Sequence, residues 1–445
     1  MSGTSSISGL VSNLDTTSII SQLMQLESQP QAHLKAKVAT EQSAVGAYQS
    51  VNTKMSALQI MTESLTKDIT WQAATATSST SSVVATAAAG APSGTYTFDV
   101  TALAAAQTST VILPSSGVTT DGNVYVSVNG GAATAVAVTT DTPQGVADAI
   151  NANTSLGVKA TVITSDQGPV LQLVSSKTGA ANAFSVSGLA GSQVDRVTAA
   201  DAQLTVGTVG SGGYTITSST NTFANFISNV TLTATALRTG VTVTVGSDAG
   251  GLADKVGMMV DAANAALAEI SKQTTYTPAN TATGAAGAAS ALLGDLTVQD
   301  LSQTILSTVA NGKTGYGSFQ QFGVQLQQDG TLKFDRSAFI AAFQADPSGV
   351  QSAVQTGLAS TLTTVAKGAT DKVTGTLTTA IQGRNSEMKT LNDQIDDWTN
   401  RLALRQETLT RQFTAMEVAL GKLKDQSNWL AGQIANLPTT STKSN

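Results

Sequence analysis

The side chains that most often carry chemistry are scarce in this chain. It has one histidine, His33, and no cysteine among 445 residues. A catalytic dyad, a zinc site or a proton relay built on imidazole needs further His or Cys ligands, so the sequence indicates none of these. His33 is predicted to be a surface residue of a helix. We therefore expect a protein that is not an enzyme and needs no cofactor.

Acidic and glycine-rich segments have structural explanations rather than catalytic ones. Asp396 and Asp397 are adjacent on a charged helix flank and indicate solvation rather than an acid–base pair. Gly207–Gly213 lacks a lysine and a following helix, so it predicts a turn rather than a phosphate-binding loop. Aspartates near glycine or proline in loops are more typical of turns than of calcium sites. They are Asp121, Asp141 and Asp166.

The composition excludes several classes of partner. Charged residues make up 12% of the chain, about half the usual fraction of ~25%, and the net charge is −6. No basic patch is present, so nucleic acid is not an expected partner. No apolar run approaches the ~18–20 residues of a membrane span, so membrane insertion is not expected. No Lys or Arg precedes Lys35, so a basic n-region is missing and no ordinary signal peptide is expected.

A long amphipathic helix is predicted near the C-terminus. From residue 384 to 437, 14 of 54 residues are charged, a far higher share than in the whole chain. Apolar residues recur there at steps of three and four, which is typical of a coiled-coil seam. They are Met388, Leu391, Ile395, Trp398, Leu402, Leu409, Phe413, Met416, Leu420, Leu423, Leu430, Ile434 and Leu437.

A second amphipathic helix is predicted near the N-terminus. Asp15 is a good N-cap for it, and an apolar stripe continues to about Ile69. Neither helix can bury its stripe alone, so we expect the two to pair as a coiled-coil leg. The N-terminal side of this contact is assigned to Ile19, Leu23, Leu34 and Val38. The C-terminal seam from Leu391 to Ile434 is predicted to make the remaining leg and oligomer contacts.

Two residues are predicted to make the leg flexible. Pro30 should kink or break the N-terminal helix. Arg405 falls on the apolar stripe, and the steps from Arg405 to Leu409 to Phe413 are four and four, which locally unwinds a supercoil. The alternative is that Arg405 faces solvent where the stripe drifts.

The middle of the chain is predicted to be β-rich. Residues 73–250 contain no Glu and consist mainly of Ala, Thr, Ser, Val and Gly. After a predicted linker at Thr75–Ser82, alternating strands begin at Val83, and Asn129-Gly130 is a strong hairpin signal. Thr142-Pro143 is predicted to start a short helix. Strands before and after this hairpin–helix–hairpin unit predict one β-domain inserted in another.

The predicted fold class is an α+β multidomain protein. Helices return at Leu252–Gln273, Leu296–Val309 and Ser337–Phe343, with a hairpin across Asp329-Gly330. The predicted domains are a terminal leg with disordered tips (1–42 and 385–445), a mostly helical domain with a β-hairpin (43–77 and 248–384), a β-rich head domain (78–110 and 196–247) and an inserted β-rich head domain (111–195).

Blocks along nearly the whole chain resemble one family, the flagellar filament cap proteins known as FliD or hook-associated protein 2. The similar blocks are Asn13–Glu27 with Pro30, Gly94–Ala104 with Gln107, 122–178, Asp201–Val206, Ser219–Thr222, Asn229–Thr233, Gly294-Asp295, Phe322–Asp335, Arg411–Met416 and Ser427–Leu430. Departures are few: Gly is commoner than Asn229 at its position, and the head is poor in charge.

The resemblance implies a non-enzymatic cap at the distal tip of the bacterial flagellar filament. Copies of the chain would form a plate with legs, a pentamer on the filament, and promote folding and insertion of flagellin. The implied partners are flagellin, the hook–filament junction protein and a cytoplasmic export chaperone. The implied route is flagellar type III export to the cell exterior. The alternatives are another flagellar axial or junction protein, or an extracellular adhesin with a β-rich binding head.

Overall fold

The computed structural model describes residues 14–279, 286–313, 315 and 317–435, apart from the side chain of residue 225. The tips that the sequence predicts to be disordered, together with Leu437, lie outside these residues except for Leu14. The described α-helices are α1 (Thr16–Glu27), α2 (Gln29–Leu65), α3 (Asp68–Trp71), α4 (Pro143–Ala152), α5 (Ala249–Thr274), α6 (Leu296–Asn311), α7 (Arg336–Ala345), α8 (Pro347–Ser352), α9 (Ser360–Thr370) and α10 (Thr376–Ala435).

The described strands fall mainly in the middle of the chain. They are β1 (Ala74–Ser78), β2 (Val83–Ala87), β3 (Gly94–Ala102), β4 (Thr108–Ile112), β5 (Asn123–Val128), β6 (Thr134–Ala137), β7 (Val158–Ser165), β8 (Gly168–Ser175), β9 (Phe184–Ser187), β10 (Val194–Val197), β11 (Ala202–Val206), β12 (Tyr214–Ser218), β13 (Thr222–Ile227), β14 (Val230–Ala234), β15 (Arg238–Ser247), β16 (Tyr276–Thr277), β17 (Ala288–Ala289), β18 (Val324–Leu326) and β19 (Leu332–Phe334).

The chain forms two compact units. The helical unit comprises the described residues of Met1–Glu63, Gly257–Ala338 and Ser352–Asn445, and the β-rich unit comprises Ser64–Val256 and Phe339–Gln351. Long helices at both ends with several sheets between them confirm the predicted α+β multidomain class. The finer domain boundaries stay a prediction.

The first module of the β-rich unit packs two sheets against each other. A five-stranded sheet has the order β1-β15-β3-β11-β12, and a three-stranded sheet has the order β13-β14-β2. Alternation along β3 directs Phe98 and Val100 into the core between them, while Thr95 and Thr97 face solvent. Leu204 and Leu232 are also fully buried there.

The predicted linker at Thr75–Ser82 is wrong in its first half. Ala74–Ser78 is an edge strand that pairs antiparallel with β15, from Ala74 opposite Ser247 to Ser78 opposite Val243. Ala74 and Ala76 pack on the core of the first module. Small alanines alternating with Ser and Thr give a weak hydrophobic signal, so the strand was missed.

The second module lies between β3 and β11 in sequence. A four-stranded sheet, β10-β4-β8-β7, and a three-stranded sheet, β6-β5-β9, enclose a core with α4. The Thr142 hydroxyl caps α4 by accepting from the Gly145 N–H at 3.2 Å, as predicted. The predicted hairpin at Asn129-Gly130 is also present, and both residues have positive φ, at 53° and 66°.

A narrow neck joins the two modules. Ala105 and Ala200 exchange both backbone hydrogen bonds, at 2.9 and 3.1 Å, so the chain enters and leaves the second module at one place. Just beyond the neck, the buried Gln107 amide donates to Phe184 O at 2.7 Å and accepts from the Phe184 N–H at 2.8 Å. The same amide donates to the Asp195 carboxylate at 3.0 Å. The neck is therefore fixed by paired backbone and by a satisfied polar network.

The helical unit is held by apolar faces of several helices. The buried residues include Met55 and Leu58 on α2, Val260 and Ile270 on α5, Ile305 on α6, and Leu362 and Ala366 on α9. Asn264 on α5 clamps the β18–β19 hairpin by bonding both the N–H and the C=O of Leu332 at 2.7 Å. The Asp329-Gly330 turn predicted for this hairpin is present.

A helical run beyond Pro347 was not predicted. Helix α7 ends at Ala345, and Pro347 begins the next helix, α8, where a missing N–H costs nothing. The Asp346 carboxylate caps this start by accepting from the Gly349 N–H at 2.9 Å. A seven-residue π-helical segment, Ala353–Ala359, then leads directly into α9.

Candidate functional site: the paired terminal helices

The N- and C-terminal helices pack antiparallel within the helical unit. Glu41 on α2 meets Arg384, Gln31 meets Thr399, and Glu27 on α1 meets Arg405. Moving toward the N-terminus on one helix thus means moving toward the C-terminus on the other. The predicted pairing of the terminal segments is therefore present. We call the stretch near Arg384 the root of the leg and the stretch beyond Arg405 its far end.

Four side chains from α2, α10 and the start of α6 form a polar chain at the root. The Glu41 carboxylate accepts from Arg384 Nη1 at 2.8 Å, and the Arg384 cation acts electrostatically on the Tyr48 hydroxyl. That hydroxyl donates to Asp295 Oδ2. The other oxygen of Asp295 accepts from the Thr297 N–H at 2.9 Å and so caps α6. The root is thereby tied to two other helices of its unit.

The surroundings of Tyr48 and Arg384 fix the protonation states of these two members of the polar chain at the root. Burial raises the pKa of Tyr48 to about 12, and its hydrogen bond to the Asp295 carboxylate acts in the same direction. Tyr48 therefore stays a neutral donor at any physiological pH. The Glu41 carboxylate raises the pKa of Arg384 above its ordinary value, so this cation is also permanent.

Contacts toward the far end are more polar and more exposed. Gln31 Nε2 donates to Thr399 Oγ1 at 2.7 Å and to the Ile395 carbonyl oxygen at 3.3 Å. Arg405 Nε donates to Glu27 Oε1 at 2.9 Å, with 49% and 37% of the two side chains exposed. An exposed pair of this kind contributes about 0–1 kcal/mol. These contacts align the helices more than they stabilise them.

The predicted seam residues fall into three groups by exposure in this single chain. Leu391 and Leu409 are buried. A second group is half-buried: Ile19, Leu34, Val38, Ile395, Trp398, Leu402, Phe413, Met416 and Leu420. A third group is exposed: Leu23, Leu423, Leu430 and Ile434. The assignment of all these residues to leg and oligomer contacts stays a prediction, because contacts with other chains are part of it.

The two residues assigned to flexibility lie at identifiable points. The helix is interrupted at Ser28, and Pro30 is the second residue of α2, where no N–H is needed. The Ser28 N–H still bonds Met24 O at 2.9 Å, so the interruption covers a single residue. Arg405 is exposed and paired with Glu27. Their role in motion stays a prediction.

A groove of about 300 Å³ lies between α1 and α10. It is lined by Thr16, Thr17, Ile20, Ser21, Met24, Gln406, Thr410, Phe413 and Thr414. Small hydroxyl-bearing residues make up five of these nine positions, and Phe413, at the end of the four-and-four spacing, is among the others. Glu417, just beyond, is buried.

The last part of α10 presents an apolar face with no described helix against it. Four of its large apolar side chains are between 54% and 65% exposed. They are Leu423, Trp429, Leu430 and Ile434. The antiparallel register explains this exposure, because α1 begins at Thr16 and has no described residue to place beside them.

Sequence patterns missed the polar contacts of the root. Tyr48 and Asp295 are 247 residues apart, and no local spacing links them. Within the described residues, no group of three or more His, Asp or Glu is arranged to hold a metal ion. No helix in the described part of the chain is long and apolar enough to cross a membrane.

Paired terminal helices with β-modules between them are accompanied by matches to flagellar structural proteins, which gives the class of the chain. Within it, the chain belongs to the flagellar hook-associated protein 2 family. The family model for the C-terminus matches residues 199–425, and the model for the N-terminus matches residues 12–107. The family inferred from the sequence blocks is confirmed.

Individual relatives extend over almost the full length. The chain is 29% identical to the B-type flagellar hook-associated protein 2 of Pseudomonas aeruginosa, across 97% of this chain and 98% of that protein. It is 27% identical to the flagellar hook-associated protein 2 of Escherichia coli K12, across 96% and 97%. The crystal structure of the D1-D2-D3 domains of the E. coli flagellar cap protein FliD superimposes with a TM-score of 0.56 at 27% identity, covering 76% of this chain and 99% of that one.

Proposed function

We propose that this chain is a structural cap at the distal tip of the bacterial flagellar filament, outside the cell. The observation that carries the proposal is the match to a flagellar cap structure, which covers 99% of that structure with a TM-score of 0.56. A role in assembly rather than catalysis fits the sequence, which has one histidine and no cysteine.

The leg is the part of this chain that we assign to assembly contacts. Its root is tied by buried and charged groups, and its far end exposes an apolar face. A cap needs a fixed body and a contact surface that is completed by other subunits. Leu423, Leu430 and Ile434 fit the second requirement because they are large, apolar and exposed.

The partners follow from this role. Copies of the chain would assemble into a plate, a pentamer on the filament, with legs directed at the filament. Flagellin subunits would fold and insert beneath the plate. A hook–filament junction protein would receive the first cap, and a cytoplasmic chaperone would hold the chain before type III export without a cleavable signal. Nucleic acid and membrane insertion have no part in the proposal.

The test is a strain that lacks this chain. We expect short or absent filaments and monomeric flagellin in the medium, both restored by the wild-type gene. Electron microscopy of filament tips and immunoblotting of the medium measure the two effects. Purified protein analysed by light scattering and negative-stain imaging tests the oligomer.

The alternatives predict different results. An adhesin would leave filaments of normal length and reduce attachment to surfaces. A junction protein would leave hooks without any filament, and restoring flagellin from outside the cell would not extend them. Normal filaments with no free flagellin would contradict the cap.

A further inference from the structure

The Asn129-Gly130 turn of the second β-module lies outside the leg, to which the assembly contacts are assigned. We propose that Asn129 is a site of spontaneous deamidation, a modification that needs only water. The Gly130 backbone nitrogen attacks Cγ of Asn129, so a C–N bond forms and the side-chain amide leaves as ammonia with the Gly130 proton. Water then opens the five-membered imide at either carbonyl. The product is aspartate or isoaspartate, and one water is consumed for each ammonia released.

The geometry of the turn leaves the reacting atoms accessible. Asn129 and Gly130 are both exposed at the tip of the β5–β6 hairpin. The Gly131 N–H closes the turn on Val128 O at 3.0 Å, and the Asn129 N–H donates to Ala183 O at 2.7 Å. Within the described residues, no hydrogen bond from the Gly130 N–H is found, and a Cβ at Gly130 would meet no atom within 4 Å. The attacking nitrogen is therefore neither paired nor shielded.

Local opening controls the rate of ring closure. Asn129 has a φ of 53°, and it must leave this left-handed conformation before its side chain can reach the next nitrogen. The strand that follows the turn, β6, is only four residues long and pairs with β5 alone. Such an edge hairpin opens at low free-energy cost.

The chain contains a second Asn-Gly pair that serves as an internal comparison. Asn311 is the last residue of α6, and Gly312 packs so closely on Gly317 that a Cβ there would lie 2.1 Å from its carbonyl oxygen. Opening this site requires the helix end and the following turn to separate together. The two pairs have the same chemistry, so the difference in their rates reports the difference in structure.

Conversion would alter the hairpin in two ways. Each event adds one negative charge to a module that is otherwise sparsely charged. The isoaspartate product also adds a methylene to the backbone of the turn that the Gly131 N–H closes on Val128 O, and this disturbs the pairing of β6 with β5. Val136 on β6 is buried in the core of the module, so disturbed pairing of this strand reduces packing as well.

The experiment ages the full-length protein at mildly alkaline pH in ¹⁸O-labelled water. Digestion with an acid protease and mass spectrometry then locate each labelled residue. We expect Asn129 to convert at least about tenfold faster than Asn311, since a tenfold ratio needs only a small difference in local opening free energy. Separation of aspartate from isoaspartate peptides should give both products.

Asn129→Gly is the matched control. Glycine keeps the positive φ that the turn requires and cannot form the imide. Aged wild-type protein should show a lower thermal transition of the β-rich unit, whereas the aged variant should keep its initial value. The inference is overturned if Asn311 converts as fast as Asn129, or if Asn129 converts no faster than asparagines without a following glycine.

Discussion

The root and the far end of the leg carry the same apolar spacing but differ in what covers it. At the root, Tyr48 and Leu391 are 2% and 4% exposed, and the Glu41–Arg384 pair joins α2 to α10. Toward the far end, Leu430 and Ile434 are 54% and 59% exposed. The difference comes from the partner helix, which is present along the first stretch and has no described residues along the second. An amphipathic pattern thus predicts a face that needs a partner, and it does not say which chain supplies that partner.

The comparison is tested most strongly by a charge placed in the buried seam. Leu391→Asp should destabilise the helical unit by about 3–5 kcal/mol, because it removes buried apolar area and desolvates a carboxylate. Leu404→Asp is the matched control on the same helix, since Leu404 is 63% exposed. Its free energy of unfolding should change by less than about 0.5 kcal/mol. Chemical denaturation followed by circular dichroism measures both, and equal losses would contradict a seam at Leu391.

Removing one member of the polar chain at the root should lower stability less than Leu391→Asp does, and the loss should depend on pH. Tyr48→Phe removes the donor to Asp295 and should cost about 1–2 kcal/mol near neutral pH. The pKa of Tyr48 is raised from 10.0 to about 12 in the folded protein, so its contribution is complete below pH 10 and is lost as pH rises through about 12.

The pH signature separates this bond from other alkaline effects. The stability difference between wild type and Tyr48→Phe should shrink from pH 10 to about pH 12. Denaturant midpoints of both proteins across that range measure it. A difference that stays constant would show that the hydroxyl is not the group responsible.

Arg405 should have a modest effect on stability and a separate effect on assembly. Arg405→Leu replaces a half-exposed ion pair with an apolar side chain on the stripe, and the free energy of unfolding should rise by no more than about 1 kcal/mol. We expect filament growth to slow, because a leg that packs more firmly yields less readily. Arg411→Leu, also exposed on α10, is the control. A more stable variant with normal growth would leave Arg405 as a solvent-facing residue only.

Substitutions at the far end should leave the thermal stability of the isolated chain unchanged and should strongly reduce filament length. Replacing Leu423, Leu430 and Ile434 together with Ser should leave the thermal transition unchanged, because all three side chains are more than half exposed. Filament length in the complemented strain should fall if this face contacts other subunits. A lower melting temperature would show instead that the face is already covered within its own chain.

Local signals predicted most of the elements. Period-3.6 stripes located both terminal helices, and Asp15 caps α1 as predicted by accepting from the Ser18 N–H at 2.9 Å. Asn129-Gly130 and Thr142-Pro143 each specified a turn or helix start through backbone preferences of their own residue types. Such signals succeed because they depend on a few neighbouring residues.

The features that the sequence did not predict depend on residues far apart in the chain or on small side chains with a weak hydrophobic signal. Strand β1 carries alanines whose burial is visible only once β15 lies beside it. Helix α8 begins at Pro347, directly after α7 ends at Ala345, so a further helix follows the predicted one. The network of Tyr48, Arg384 and Asp295 joins parts of the chain that only the tertiary fold brings together. Its members individually resemble ordinary surface and core residues.

The paired backbone at Ala105 and Ala200 has a mechanical consequence. The chain enters the second β-module from β3 and leaves it into β11. A drag force on that module therefore pulls on both strands at the same time, each along its own axis. Strand β3 is bonded to β15 and β11 to β12, and ladder bonds lie perpendicular to the strands. The load is therefore applied in shear, with many bonds sharing it at once rather than breaking one after another. The strands of the five-stranded sheet should therefore stay paired while moving fluid exerts drag on the second module.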